Sequence, residues 1–153
     1  MKRIFLAIVL AAVVQLSFAD LLDDIVDGKF NVNNIMVPRS MNDGENFTLL
    51  KNNAVIKYNY KTGQLVDTIF SIHRLKNVPF KEINGYEFSP NEAKLLVYNN
   101  VKKRYRRSFT ADYYVYDIKR RELKPLSENG PQEVPLFSPD SKYIAFAREN
   151  NLY

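Results

Sequence analysis

The chain has 153 residues, with 46% hydrophobic and 13% aromatic residues, ten Tyr, ten Phe and no Cys or Trp. So many aromatics exclude a disordered chain, and the lack of cysteine excludes thiol nucleophiles and thiolate metal sites. The charge of +5 (22 Lys+Arg, 17 Asp+Glu) is too mild for a dedicated nucleic-acid binder, which carries a stronger basic stripe.

Residues 1–19, "MKRIFLAIVLAAVVQLSFA", pair a positive start at Lys2 and Arg3 with an apolar run from Ile4 to Leu16. Ser17-Phe18-Ala19 supplies small residues at the positions a signal peptidase reads. The run is shorter than the ~20 residues that span a bilayer. We expect a secretory signal cleaved after Ala19, the alternative being an uncleaved N-terminal anchor. The mature chain is then exported, to periplasm, cell surface or medium. Cleavage removes two cations and no acids and leaves a balance of +3. The next stretch, "LLDDIVDG" at 21–28, predicts a short helix, and no longer one is expected further on.

Residues 20–153 read as all-β with an internal repeat. "YEFSPNEAKLLVYNN" from Tyr86 and "PLFSPDSKYIAFARENNLY" from Pro135 share Phe-Ser-Pro, a polar turn and an apolar run, with Pro90 and Pro139 separated by 49 residues. A weaker copy, "SMNDGENFTLLKNN", lies upstream, with Asn42-Asp43-Gly44 in place of the proline turn. Pro presets φ at the first turn position, and Asp, Asn or Gly accept the angles that follow. The runs "LLVY" and "YIAF" scarcely alternate, which predicts strands buried on both faces. In 109–116 the alternation is clean: Phe109, Ala111, Tyr113 and Val115 face one side, and Thr110, Asp112, Tyr114 and Tyr116 the other.

All-β units at a period of about 40–50 residues are the signature of β-propeller blades, with a β-sandwich as the alternative. The fold expected is an incomplete β-propeller, about two blades plus the start of a third, preceded by the signal peptide. The third copy reaches its Asn-Asn-apolar step and stops at Tyr153. Two units and an interrupted third cannot close a ring, so the chain is expected to be the N-terminal part of a longer protein.

The string "YRRSFTADYYVYD" at 105–117, with "DIVDGKF", "YEFSP" and "VPLFSPDSKYIAFARENNLY" at matching intervals, resembles the start of dipeptidyl peptidase IV-type enzymes. These belong to the prolyl oligopeptidase family of serine peptidases. The resemblance covers Asp20 to Tyr153 and implies an eight-bladed propeller joined to a C-terminal α/β-hydrolase domain that lies outside this sequence. It implies release of N-terminal dipeptides with Pro or Ala in second place, a Ser-Asp-His triad, a glutamate pair that holds the free amine, and an arginine that binds a substrate carbonyl. A homodimeric parent is a further option.

Of these groups only the arginine falls within the chain, at Arg106, directly after the aromatic Tyr105. A guanidinium offers a fixed fork of donors to a carbonyl oxygen. Neighbours on an extended chain face opposite ways, so Arg107 is expected to face solvent or the blade surface. Glu82, Glu87, Glu92, Glu122, Glu128, Glu133 and Glu149 form no adjacent pair, and the sequence contains no Gly-x-Ser-x-Gly elbow. The single histidine, His73, lies in a loop-like stretch without triad or metal context, so it is read as structural or solvent-facing. No catalytic residue, metal site or cofactor is therefore expected in this chain. Asn46-Phe47-Thr48 is a glycosylation sequon, relevant only in a eukaryotic source.

Two other readings remain open at the level of sequence. One is an exported, non-enzymatic propeller that acts as a protein-binding scaffold. The other is a binder of acidic partners through "KKRYRR", Lys102 to Arg107, for which salt-dependent nucleic-acid binding would be the mark.

Overall fold

The computed structural model describes residues 21–30, 36–76 and 78–153. The signal segment at 1–19 lies outside the described residues. Residues 21–26 are helical, as the sequence predicts, and Leu21, Leu22, Ile25 and Val26 are all exposed. Among the described residues no helix is long and apolar enough to cross a membrane.

Residues 36–153 form a compact unit of their own. It contains three antiparallel sheets that follow one another along the chain as propeller-type blades. The first is the meander β1 (Arg39–Ser40), β2 (Asn46–Lys51), β3 (Ala54–Asn59) and β4 (Leu65–Ser71). The second is β5 (Gly85–Phe88), β6 (Lys94–Lys103), β7 (Phe109–Asp117) and β8 (Glu122–Pro125). The third is β9 (Glu133–Phe137), β10 (Ile144–Arg148) and β11 (Asn151–Leu152).

The repeated turn explains the repeated sequence. In all three copies the N–H of the first turn residue (Met41, Ser89, Ser138) donates 2.9 Å to the carbonyl five residues on (Asn46, Lys94, Tyr143). The fourth position is left-handed each time: Gly44 at φ 68°, Glu92 at φ 53° and Ser141 at φ 60°. In the second and third copies the serine hydroxyl accepts the N–H that opens the next strand, from Lys94 at 3.0 Å and Tyr143 at 2.9 Å. It also donates to Asn91 at 2.8 Å and Asp140 at 2.6 Å. Met41 cannot do this. Asp43 replaces it, its carboxylate accepting the Asn46 N–H at 2.9 Å.

The turns also join blade to blade. Glu92 accepts the N–H of Asn42 at 2.6 Å, and the Asn42 amide donates to the Pro90 carbonyl at 2.7 Å. One blade later Ser141 accepts the N–H of Asn91 at 3.1 Å. Pro90 has no N–H to offer, so the bond shifts one residue along.

The second sheet is packed on both faces. Leu95, Val97, Tyr114 and Tyr116 join Val55, Phe70, Phe80 and Ile83 in a core shared with the first sheet. Leu96, Phe109, Ala111, Tyr113 and Val115 join Phe137 and Ile144 in a core shared with the third. The alternation read in 109–116 and the two-sided burial of "LLVY" both hold. The two-sided burial expected of "YIAF" does not, because Tyr143 is 73% exposed and Ala145 is exposed. Among the described residues nothing packs against that face of the third sheet.

Candidate substrate-binding site

The candidate arginine sits where β6 turns into β7. The ladder between these strands slips between Asn99 and Lys102, where Asn100 is left-handed (φ 52°) and its amide donates 2.9 Å to Asp112. Past this bulge the strands run out to Lys103 and Phe109. The N–H groups of Arg104 and Tyr105 then close the tip on the Ser108 carbonyl, at 2.9 and 3.3 Å. Arg106 and Arg107 occupy the tip, exposed, and neither makes an ion pair with a described residue.

This geometry corrects one expectation. Arg106 and Arg107 are in a turn and not on an extended strand, so the rule that neighbours face opposite ways does not apply to them. Both border a cavity of about 390 Å³ with Asn84, Tyr98, Tyr105 and Phe109. Arg107 also borders a second cavity, of about 270 Å³, with Arg39, Tyr86, Glu87, Tyr98 and Tyr113. The tip therefore offers two guanidiniums at the mouth of an aromatic floor.

Tyr98 is the centre of that floor. Its ring lies 5.6 Å from Phe109 and 5.1 Å from Tyr113, and across the ladder it faces Gly85. A Cβ on Gly85 would come within 2.2 Å of the Tyr98 hydroxyl, so only glycine lets the ring lie there. Burial, the Tyr98 hydroxyl and the Glu87 carboxylate together push the Tyr113 hydroxyl up to about 12. Burial likewise raises Tyr86, against the opposing pull of a 2.7 Å hydrogen bond with Thr48 and of Arg39, whose guanidinium lies 5.3 Å from its ring centre. Tyr86 and Tyr113 are thus neutral at ordinary pH, with Arg39 beside them and Arg106 and Arg107 at the tip.

The remaining sequence candidates fall elsewhere. His73 is exposed in a single 3₁₀ turn, Ile72–Arg74, and its N–H donates to the Ser71 hydroxyl at 3.3 Å. Glu92 serves the turn contact already described, Glu87 lines the smaller cavity, and Glu133 pairs with Arg104 at 2.7 Å. No group of three or more potential metal ligands gathers among the described residues. The sequon is closed in the fold: Asn46 is 8% exposed with its amide on Asp43 at 2.7 Å, and Thr48 is fully buried. Sequence reading missed Tyr98, Gly85 and the Arg104–Glu133 pair. The glycine directly before "YEFSP" signals a close approach to the backbone, but not which ring makes it.

Residues 89–153 match the family model described as "Dipeptidyl peptidase IV (DPP IV) N-terminal region". The chain is 43% identical over 68 residues to a probable dipeptidyl-aminopeptidase B of Emericella nidulans, covering 42% of this chain and 8% of the relative. It is 29% identical over 133 residues to human prolyl endopeptidase FAP, covering 86% of this chain and 17% of the relative. Among solved structures, Porphyromonas gingivalis dipeptidyl peptidase 4 superposes with a TM-score of 0.78 at 40% identity, covering 85% of this chain and 19% of that one. The chain therefore spans less than a fifth of the length of each of these proteins.

Proposed function

We propose that this chain, an N-terminal segment of dipeptidyl peptidase IV type, forms the substrate-recognising start of an exported serine exopeptidase. The peptidase removes dipeptides from peptide and protein N-termini, with Pro or Ala preferred in second place. In this reading residues 1–19 direct export. Acyl transfer belongs to an α/β-hydrolase domain carried by further polypeptide, and the chain binds and admits substrate without performing the chemistry.

The observation that carries the reading is the state of Arg106. Its guanidinium stands at the tip of the β6–β7 hairpin, beside the aromatic cavity, with no acidic group among the described residues to neutralise it. Solvent does not require such a hairpin, and a carbonyl oxygen satisfies its donors. A charged group hydrogen-bonded to substrate is worth about 1.5–3 kcal/mol, or roughly 10- to 150-fold in binding. In the full-length gene product, Arg106→Ala should raise KM for a dipeptidyl anilide by roughly that factor. Arg106→Lys should recover part of the loss, because a lysine gives charge without the fork. An unchanged KM in Arg106→Ala would remove the reading.

The scaffold reading differs in that no peptide is cleaved. The basic-run reading is disfavoured by placement: Lys102 and Lys103 end a strand and Arg104 is already paired, so the six residues do not form one free basic face.

A further inference from the structure

The turn that carries Arg106 has little to hold it. Tyr105 is 81% exposed, and Lys102 to Arg107 are all exposed. Two backbone bonds close the tip on itself, but neither fixes its direction relative to the rest of the molecule. The contact that does so is the ion pair from Arg104 to Glu133, 2.7 Å long, which reaches from the hairpin to the first strand of the next blade.

The Glu133 end of this pair is held firmly. Gln132, the residue before it, is 1% exposed and exchanges both backbone hydrogen bonds with Ala111, at 3.0 and 2.8 Å. The Gln132 side chain accepts the Tyr113 N–H at 3.0 Å and donates to the Gly130 carbonyl. Four hydrogen bonds therefore anchor the chain at 132, three of them to β7, and the next residue reaches back to the hairpin tip. One end of the pair is fixed to the core and the other to an exposed turn, two residues from Arg106.

We propose that Glu133 and Arg104 are positioning residues: their ion pair is a strut that sets the β6–β7 tip, and with it the direction of Arg106. This rests on the substrate role assigned to Arg106 above. The pair is partly exposed, with side chains 53% and 23% accessible, so its expected effect is modest, about fivefold.

The test uses the full-length gene product and two readouts. In Glu133→Ala, amide exchange across residues 104–108 should quicken about fivefold, with the core of β6 and β7 unchanged. KM for Gly-Pro-para-nitroanilide should rise by a similar factor while kcat stays within about twofold. The swapped pair, Arg104→Glu with Glu133→Arg, should restore both values. Added to Arg106→Ala, Glu133→Ala should raise KM no further, because a strut has nothing left to aim. Unchanged exchange in Glu133→Ala overturns the strut, and quickened exchange with a flat KM overturns the positioning role. A full additive loss on top of Arg106→Ala overturns it too. An Arg106→Ala variant with wild-type KM instead removes the functional reading, and exchange across 104–108 still decides the strut.

Discussion

Tyr113 shows how a single residue links sequence to pH behaviour. Its place in the alternation of β7 puts it in the core between the second and third sheets, where burial, Tyr98 and Glu87 all favour the protonated hydroxyl and push it up to about 12. A tyrosine in the unfolded chain ionises near pH 10. Because the folded form holds its proton more tightly, the contribution of Tyr113 to stability is complete below pH 10 and is lost as the pH rises towards 12. Tyr113→Phe has no such proton to lose, so its denaturant midpoint should fall less steeply than wild type between pH 10 and 12. Equal slopes would show that Tyr113 does not govern the alkaline transition. The direction in which Tyr113 points was legible, because strand alternation is a matter of parity. That Gly85 exists to admit the Tyr98 ring was not, because it depends on a register between two strands that no local pattern encodes.

At the scale of elements, the turns are the best-determined pieces. Phe-Ser-Pro was recognised as a repeated turn, and the structure shows why serine recurs: one hydroxyl both accepts from the strand that follows and donates to the Asn or Asp two residues on. Ser89 is 1% exposed, so Ser89→Ala would leave the Lys94 N–H without that acceptor and should cost about 1–3 kcal/mol in chemical denaturation. Ser138→Ala, in the more open third copy, should cost less. Equal losses would mean that burial does not set the value of this bond. The weak first copy was legible too, since Asp43 performs the capping by another route. Its carboxylate is held well below the usual range by Asn46 and Lys57, even though it is solvent-exposed. The β6–β7 tip departs from the extended chain that its sequence suggests, for a definite reason. A run of cations before an aromatic strand looks extended, and the bulge at Asn99–Lys102 and the closure at Ser108 leave no mark in composition.

At the scale of the molecule, the blades are held together by two different devices. Apolar faces meet between the sheets, with Leu95 and Val97 on one side of the second sheet and Leu96 on the other. The turns add polar contacts along one end, from Asn42 to Glu92 and from Asn91 to Ser141. The apolar packing followed from the unbroken "LLV" run, because a strand buried on both faces has no polar side to show. The contrasting exposure of Tyr143 in "YIAF" follows from its neighbourhood, since the same pattern buries only where another layer arrives. The proposed substrate-binding arrangement, with an aromatic floor under the Arg106–Arg107 tip and the Arg104–Glu133 ion pair from the next blade, draws on two sheets at once. The resemblance singled out Arg106, while the groups that frame it became visible only through pairing across strands and blades.

The proposed function is decided by what the intact gene product does to a peptide. The direct measurement is mass spectrometry of a decapeptide with proline in second place, incubated with that protein beside the same peptide acetylated at its N-terminus. One N-terminal dipeptide should be lost from the free peptide and none from the acetylated one. Cleavage of both peptides alike, removal of single residues, or no cleavage by a folded preparation would contradict the proposed function.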